Sequence, residues 1–410
     1  MTSIVKICSI TAMTLLLSGM ASCSKQVNTD DAAIENASQQ MKGQISLIEE
    51  HPDTFLNPTT LKSDGTLFYC PVDDWRSGFF PGAMWYLYEL TEDESLLPLA
   101  AKYTKAVSDA QHVRFHHDVG FMVGCSFGNA LRLTGDTTTY APAIVEAAKS
   151  LCTRFRPAAG VIQSWDVEPG GEREKKGWRC PTIIDNVMNL ELLFEATRLS
   201  GDSTYYNVAV SHADRTLKEH FRPNGSCYHV IDYDPVSGDV RHRQTAQGCS
   251  DESAWARGQS WAIYGFTTVY RYTGDRRYLD RAEKTFDFVR NHPNMPSDLV
   301  PYWDLDAPGI PDEPRDVSTA AVIASGLYEM CRYCPDKAKE YKAYADNIMK
   351  SLATADYTAP LGENGNFILM HSVTSKPANV EIDVPLNYAD YYYLEALKRK
   401  RDLEAGKSFK

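Results

Sequence analysis

Three residues of this chain stand where chemistry belongs if one helical unit is repeated. Thr134-Gly135-Asp136, Ser200-Gly201-Asp202 and Thr273-Gly274-Asp275 each end an apolar run. A glycine takes the left-handed conformation that closes a helix, and the Asp after it suits the next turn. Counting back by about 16–17 residues, an ordinary helix length, lands on Asp118, Asp185 and Arg257. Two carboxylates and a cation at equivalent places in successive repeats read as an active-site rim. If one carboxylate is a proton donor, it must keep its proton near neutral pH, so burial or a like-charge neighbour has to raise its pKa. An Asp in a first turn also complements the helix dipole, by about 0.3–1 kcal/mol, so position alone leaves both readings open.

The elements that would hold these residues alternate between two kinds. Segments 83–90, 118–131, 185–199, 254–272, 320–331 and 386–398 are apolar almost all round. Segments 35–56, 98–108, 140–155, 205–220, 278–292 and 337–353 are apolar on one face only. A helix apolar on every side must be surrounded, whereas an amphipathic one faces water. Six inner helices ringed by six outer ones satisfy both, so the sequence predicts an all-α, single-domain (α/α)6 barrel, a six-hairpin toroid. Tight Gly-Asp turns lie at one end and long loops at the other. Tyr228 to Asp234, with Ser237-Gly238-Asp239 after it, reads as a short hairpin on the loop side.

Composition narrows the function classes. The chain has 410 residues, a hydrophobic fraction of 43% and an aromatic fraction of 11%, enough for a sizeable core. A net charge of −12 argues against a nucleic-acid partner or a charged membrane surface. The N-terminal residues form an export signal: Lys6, an apolar run from Ile10 to Leu17, and small residues before Cys23. That run is too short to span a bilayer, and Cys23 after Ala21-Ser22 is similar to a bacterial lipoprotein box. The expected organisation is a signal peptide over 1–22, a tether opening on a lipidated Cys23 over 23–40, and the barrel over 41–410. The protein is then exported, periplasmic or in the cell envelope, touching membrane only through its lipid. Of 10 cysteines, Cys8 and Cys23 belong to the signal, and Cys125, Cys152 and Cys180 suit buried free thiols. Cys331 and Cys334 form a C-x-x-C with no second pair and no nearby His, so zinc is not expected there. His112 and His116 would share a helix face, but no H-E-x-x-H order accompanies them and no metal is expected.

Six segments in order carry a resemblance. They are Ser77-Gly78-Phe79-Phe80-Pro81-Gly82, His117-Asp118-Val119-Gly120-Phe121, Gln163-Ser164-Trp165-Asp166, Ile183-Ile184-Asp185-Asn186, Ser253 to Ala262, and Glu381 to Asp390. Together they resemble the unsaturated glucuronyl hydrolases of glycoside hydrolase family 88. The resemblance implies the barrel already reached from periodicity, no metal and no cofactor. Its implied reaction removes the 4,5-unsaturated uronic acid from the non-reducing end of lyase-generated oligosaccharides. An acid protonates C4, water adds at C5, and the hemiketal collapses with loss of the aglycone. By resemblance Asp185 is the general acid/base and Asp118 the second essential carboxylate. His117 and His229 match substrate-contacting histidines, Trp165 and Trp261 sugar-stacking aromatics, and Arg257 an arginine near the uronate. Gln247 matches too, although the His that often precedes it is Ala246 here. Ser375 and Lys376 lie near a Ser/Lys cluster that cradles sulfate in relatives acting on chondroitin. Activity is therefore expected on unsaturated chondroitin or hyaluronan disaccharides, with heparin-type ones next. The alternatives are an unsaturated rhamnogalacturonyl hydrolase and a glycan-binding lipoprotein without turnover.

Overall fold

Each Gly-Asp pair closes one helix and opens the next. In the computed structural model, which describes residues 29–50 and 57–407, Gly135, Gly201 and Gly274 have φ of 68°, 74° and 67°. Their N–H groups donate back to the carbonyls of Leu131, Thr197 and Tyr270. A side chain in that conformation costs about 1–2 kcal/mol, which glycine avoids. Asp136, Asp202 and Asp275 then accept from the N–H groups of Thr139, Thr204 and Arg277, capping the helices that follow.

The two helix populations take the places their patterning demands. The inner ring contains Phe79–Thr91, Asn129–Thr134, Leu190–Ser200, Ala256–Thr273, Val317–Tyr333 and Asn387–Glu404. Neighbours in that order pack together, the second and third through the segments that precede them, and the last closes onto the first. From Val317 to Cys331 every residue is buried. The outer helices are Thr29–Glu49, Leu96–Ala106, Thr137–Cys152, Ser203–Glu219, Arg276–Arg290 and Ala338–Leu352. On Arg276–Arg290 the buried positions include Tyr278, Leu279, Ala282, Phe286 and Val289, one stripe at helical spacing. One hydrophobic core runs through both rings. Among the described residues no helix is long and apolar enough to cross a membrane.

Three features depart from expectation. The first helix begins at Thr29, and Ile34 and Ala37 on it are buried, so the barrel starts inside the tether expected over 23–40. The signal peptide and Cys23 lie outside the described residues. Two inner helices do not begin as regular α-helix. Gly120–Gly128 is π-helical before Asn129, and Ile184–Asn189 is a 3-10 turn before Leu190. These irregular starts touch: the Phe121 N–H donates to Asn189 Oδ1 at 2.9 Å. A Cβ on Gly120 would lie 2.6 Å from the Asn189 Cα, so only glycine allows the approach. Third, the residues just before Asp185 form a strand that the all-helical reading did not include. Pro181–Ile183 pairs antiparallel with Val230–Tyr233, which pairs with Val240–Gln244. A further hairpin, Ser372–Ser375 with Val380–Val384, carries Ser375 at the end of its first strand.

Candidate active site

Asp118 and Asp185 precede or open the two irregular helix starts, so the Gly120–Asn189 contact brings their segments together at the loop end of the barrel. Each side chain keeps 13% of its surface accessible. Their neighbours push them in opposite directions. Enclosure in the barrel pushes the Asp185 carboxyl up to about 7, the charge of Asp118 adds to this, and Arg257 opposes it. Enclosure would raise Asp118 too, but His117 and His116 outweigh it and hold that carboxyl below its ordinary value. His117 Nε2 stands 3.3 Å from Asp118 Oδ1, and His116 Nδ1 stands 3.2 Å from Oδ2. Burial lowers His116, but Asp118 overcomes it and raises the imidazole, which also rests Nε2 on the Asp73 carbonyl at 3.0 Å. Near neutral pH Asp118 is therefore ionised while Asp185 still carries its proton in about half of the molecules, the split that separates an acid from its helper.

The sheet brings a third group to Asp185. Ile184 N–H donates to the His229 carbonyl at 3.0 Å, which fixes the two chains side by side. His229 Nδ1 accepts from the N–H groups of Ala246 (3.0 Å) and Gln247 (3.2 Å). The ring proton must then sit on Nε2, 3.8 Å from Asp185 Oδ2. Burial drives the His229 pKa well below its ordinary value, so this is a neutral donor aimed at the acid. His229 Nε2 and Asp185 Oδ2, 3.8 Å apart, are buried and outside direct hydrogen-bond reach of each other, while the Trp261 indole faces the Asp185 carboxyl. Buried polar groups are normally paired, and their convergence suits a ligand rich in hydroxyls.

Arg257 opens the next inner helix and is held firmly. Its Nη1 lies 2.9 Å from Asp316 Oδ2 and also donates to the Val373 carbonyl, while Nη2 donates to the Thr374 carbonyl at 2.7 Å. The guanidinium rests over the rings of Trp255 and Tyr388. Gln247 Nε2 donates to the same Thr374 carbonyl at 2.9 Å. The hairpin supplying these carbonyls is anchored from below, where Glu381 takes two hydrogen bonds from Arg76 at 2.7 and 2.8 Å. Trp165 is half-buried beside His229, with ring centroids 6.2 Å apart.

Three expected roles change. Trp261 is fully buried against Phe121 and Tyr392, so it forms the floor and has no open face on which a sugar could stack. His117 is also closed off, its ring facing Asp118 and Asn186, so it bears on that carboxylate rather than on substrate. Lys376 is already neutralised: its ammonium pairs with Glu313, which also accepts from the Trp303 indole at 2.7 Å. Ser375 is buried within its strand. The pair is not disposed to cradle sulfate. Asp316 is the main residue the sequence did not single out. It reads as a helix cap, and it is one: Oδ1 accepts from the Ser318 N–H. Its second oxygen is what orients Arg257, a contact between neighbouring inner helices that local spacing cannot announce.

The family model of Glycosyl Hydrolase Family 88 matches residues 55–408. An unsaturated glucuronyl hydrolase of Formosa agariphila is 47% identical over 333 residues, 81% of each chain. An unsaturated chondroitin disaccharide hydrolase of Streptococcus agalactiae is 33% identical over 90% of each chain. A solved unsaturated glucuronyl hydrolase specific for heparin superposes with a TM-score of 0.85 at 43% identity, over 92% of this chain and 98% of that one.

Proposed function

The chain belongs to glycosyl hydrolase family 88 and is an unsaturated glucuronyl hydrolase acting on glycosaminoglycan-derived oligosaccharides; from that premise we propose a mechanism for its site. Asp185 delivers its proton to C4 of the unsaturated uronate, and the double-bond electrons form the new C–H bond. The positive charge left at C5 takes up water, whose second proton passes to a carboxylate of the Asp185–Asp118 pair. The hemiketal opens by breaking the bond between C5 and the ring oxygen, its hydroxyl proton passing to that oxygen. The hemiacetal this leaves at C1 then collapses to an aldehyde, its proton going to the departing aglycone oxygen. Arg257 sets the field around the acid, and His229 donates its Nε2–H on the same side. The observation that carries this reading is the opposite displacement of the two carboxylates, which gives an acid able to hold its proton near pH 7 beside one that cannot.

We place heparin-type disaccharides ahead of chondroitin and hyaluronan, reversing the order the sequence suggested. The paired state of Lys376 supports this, and so does the higher identity to the heparin-specific relative. We also propose a lipid-anchored envelope location through Cys23. Loss of ultraviolet absorbance from a panel of unsaturated disaccharides tests both class and order. No loss on any of them would leave a glycan-binding protein instead.

A further inference from the structure

One wall of the site carries cations that the proposed mechanism does not use. The Arg173 guanidinium lies 4.9 Å from the centre of the Trp165 ring, and the Lys176 ammonium 5.2 Å from that of Trp178. The two indoles stack on each other, 6.0 Å apart and inclined by 23°. This wall is continuous with the catalytic groups. Trp165 packs on His229, and Lys176 Nζ donates to the Thr245 carbonyl at 3.3 Å, one residue before the N–H groups that hold His229. Arg173 is fixed by a hydrogen bond to the Asp166 carbonyl at 3.0 Å.

Both cations are exposed, and neither makes an ion pair among the described residues, unlike Arg257, Arg76 and Lys376. The acids on their own loop are engaged elsewhere. Asp166 pairs with Arg154 at 3.0 Å, Glu172 with Lys175 at 2.6 Å, and Glu174 accepts from the Gly170 N–H at 2.7 Å. Asp166 and Glu168 act on Arg173 only at longer range. An indole face orients a cation without neutralising it, so the charge remains available to an anion. A planar guanidinium fork matches a sulfate or a carboxylate, and the ammonium adds a point charge.

We propose that Arg173 and Lys176 form an anion-binding subsite that reads a sulfate on the sugar following the unsaturated uronate, beside the Trp165–Trp178 wall. The assignment rests on the reading of this site as a glucuronyl hydrolase. The test compares kcat/KM on matched unsaturated disaccharides with and without a hexosamine sulfate, and on an unsulfated tetrasaccharide whose next uronate bears only a carboxylate. The Arg173→Ala/Lys176→Ala double variant should lower the sulfated-to-unsulfated ratio by about tenfold, mainly through KM. Arg173→Glu/Lys176→Glu should lower it further, and Arg173→Lys should keep part of it. An unchanged ratio overturns the proposal, as does a loss confined to the tetrasaccharide, or a wild type that accepts only unsulfated substrate. A wild type that turns over none of these substrates instead removes the hydrolase reading itself.

Discussion

Asp185→Asn separates the proposed catalytic role of this carboxyl from its cost to the fold. The unfolded chain ionises Asp185 near 3.8, whereas the folded barrel holds it to about 7. Below the lower value both states are protonated and the group is neutral to stability. As pH rises toward 7 the unfolded state loses its proton first, so the wild type loses stability across that window and the full cost is present above it. The difference of about three pKa units corresponds to roughly 4 kcal/mol at 1.36 kcal/mol per unit, an upper figure. An asparagine has nothing to ionise and keeps an oxygen that can accept from the Trp261 indole, which faces this carboxyl. The variant should therefore unfold at higher urea than the wild type at pH 8 and at nearly equal urea at pH 4. Its turnover should fall by about 10²–10⁴, the usual contribution of a positioned acid, with substrate affinity within a few-fold. In the wild type the alkaline limb of kcat should lie near pH 7, where roughly half the carboxyl is protonated. A stability gain that is the same at both pH values, or a variant that keeps the wild-type alkaline limb, would refute the argument.

Three further outcomes follow from the geometry. Asp316→Asn keeps a capping oxygen for Ser318 but removes the charge that balances Arg257, so the Asp185 pKa should fall and the alkaline limb of kcat should move to lower pH, read from a pH–rate profile; a drop in rate with no shift would make Asp316 merely structural. The groups facing Asp185 there are Asp118, His229, Trp261 and Arg257, and the first three are untouched by the change. Gly120→Ala drives a methyl into the Asn189 backbone, costing about 1–3 kcal/mol and more activity than stability, because the two carboxylates sit on the displaced segments; unaltered kcat would show that this contact does not set their spacing. Cys23→Ala should move the protein from the membrane to the soluble fraction, and continued sedimentation with membranes would end the lipid-anchor proposal.

The alternation of all-round apolar and one-sided helices, and the Gly-Asp turns between them, were legible because they depend on local matters: a period of 3.6 residues, a left-handed glycine, a capping carboxylate. The hairpin at Val230–Gln244 was legible for the same reason. Its third strand was not, since Pro181–Ile183 has no alternation of its own and becomes a strand only where Val230–Tyr233 offers it a ladder. The irregular starts at Gly120 and Ile184 were hidden too, because they answer to contacts between segments rather than to propensity.

Spacing named Asp118, Asp185 and Arg257 as candidates, since three repeats of one unit place them on the same rim, but it left the helix-dipole reading of the two aspartates open. Their chemical difference was not in their spacing, and only the family resemblance named Asp185 as the acid. Two aspartates in equivalent positions have the same intrinsic acidity, and Trp261 and Trp165 look alike as stacking residues. Folding set His116 and His117 against one carboxylate and left the other enclosed beside a like charge. It shut Trp261 under Phe121 and Tyr392, tied Lys376 to Glu313, and put Asp316 behind Arg257. Charge–charge energies and desolvation depend on distances between residues far apart in the chain, so the sequence could name the candidates, and only the packed barrel supplies the surroundings that push their acidities apart.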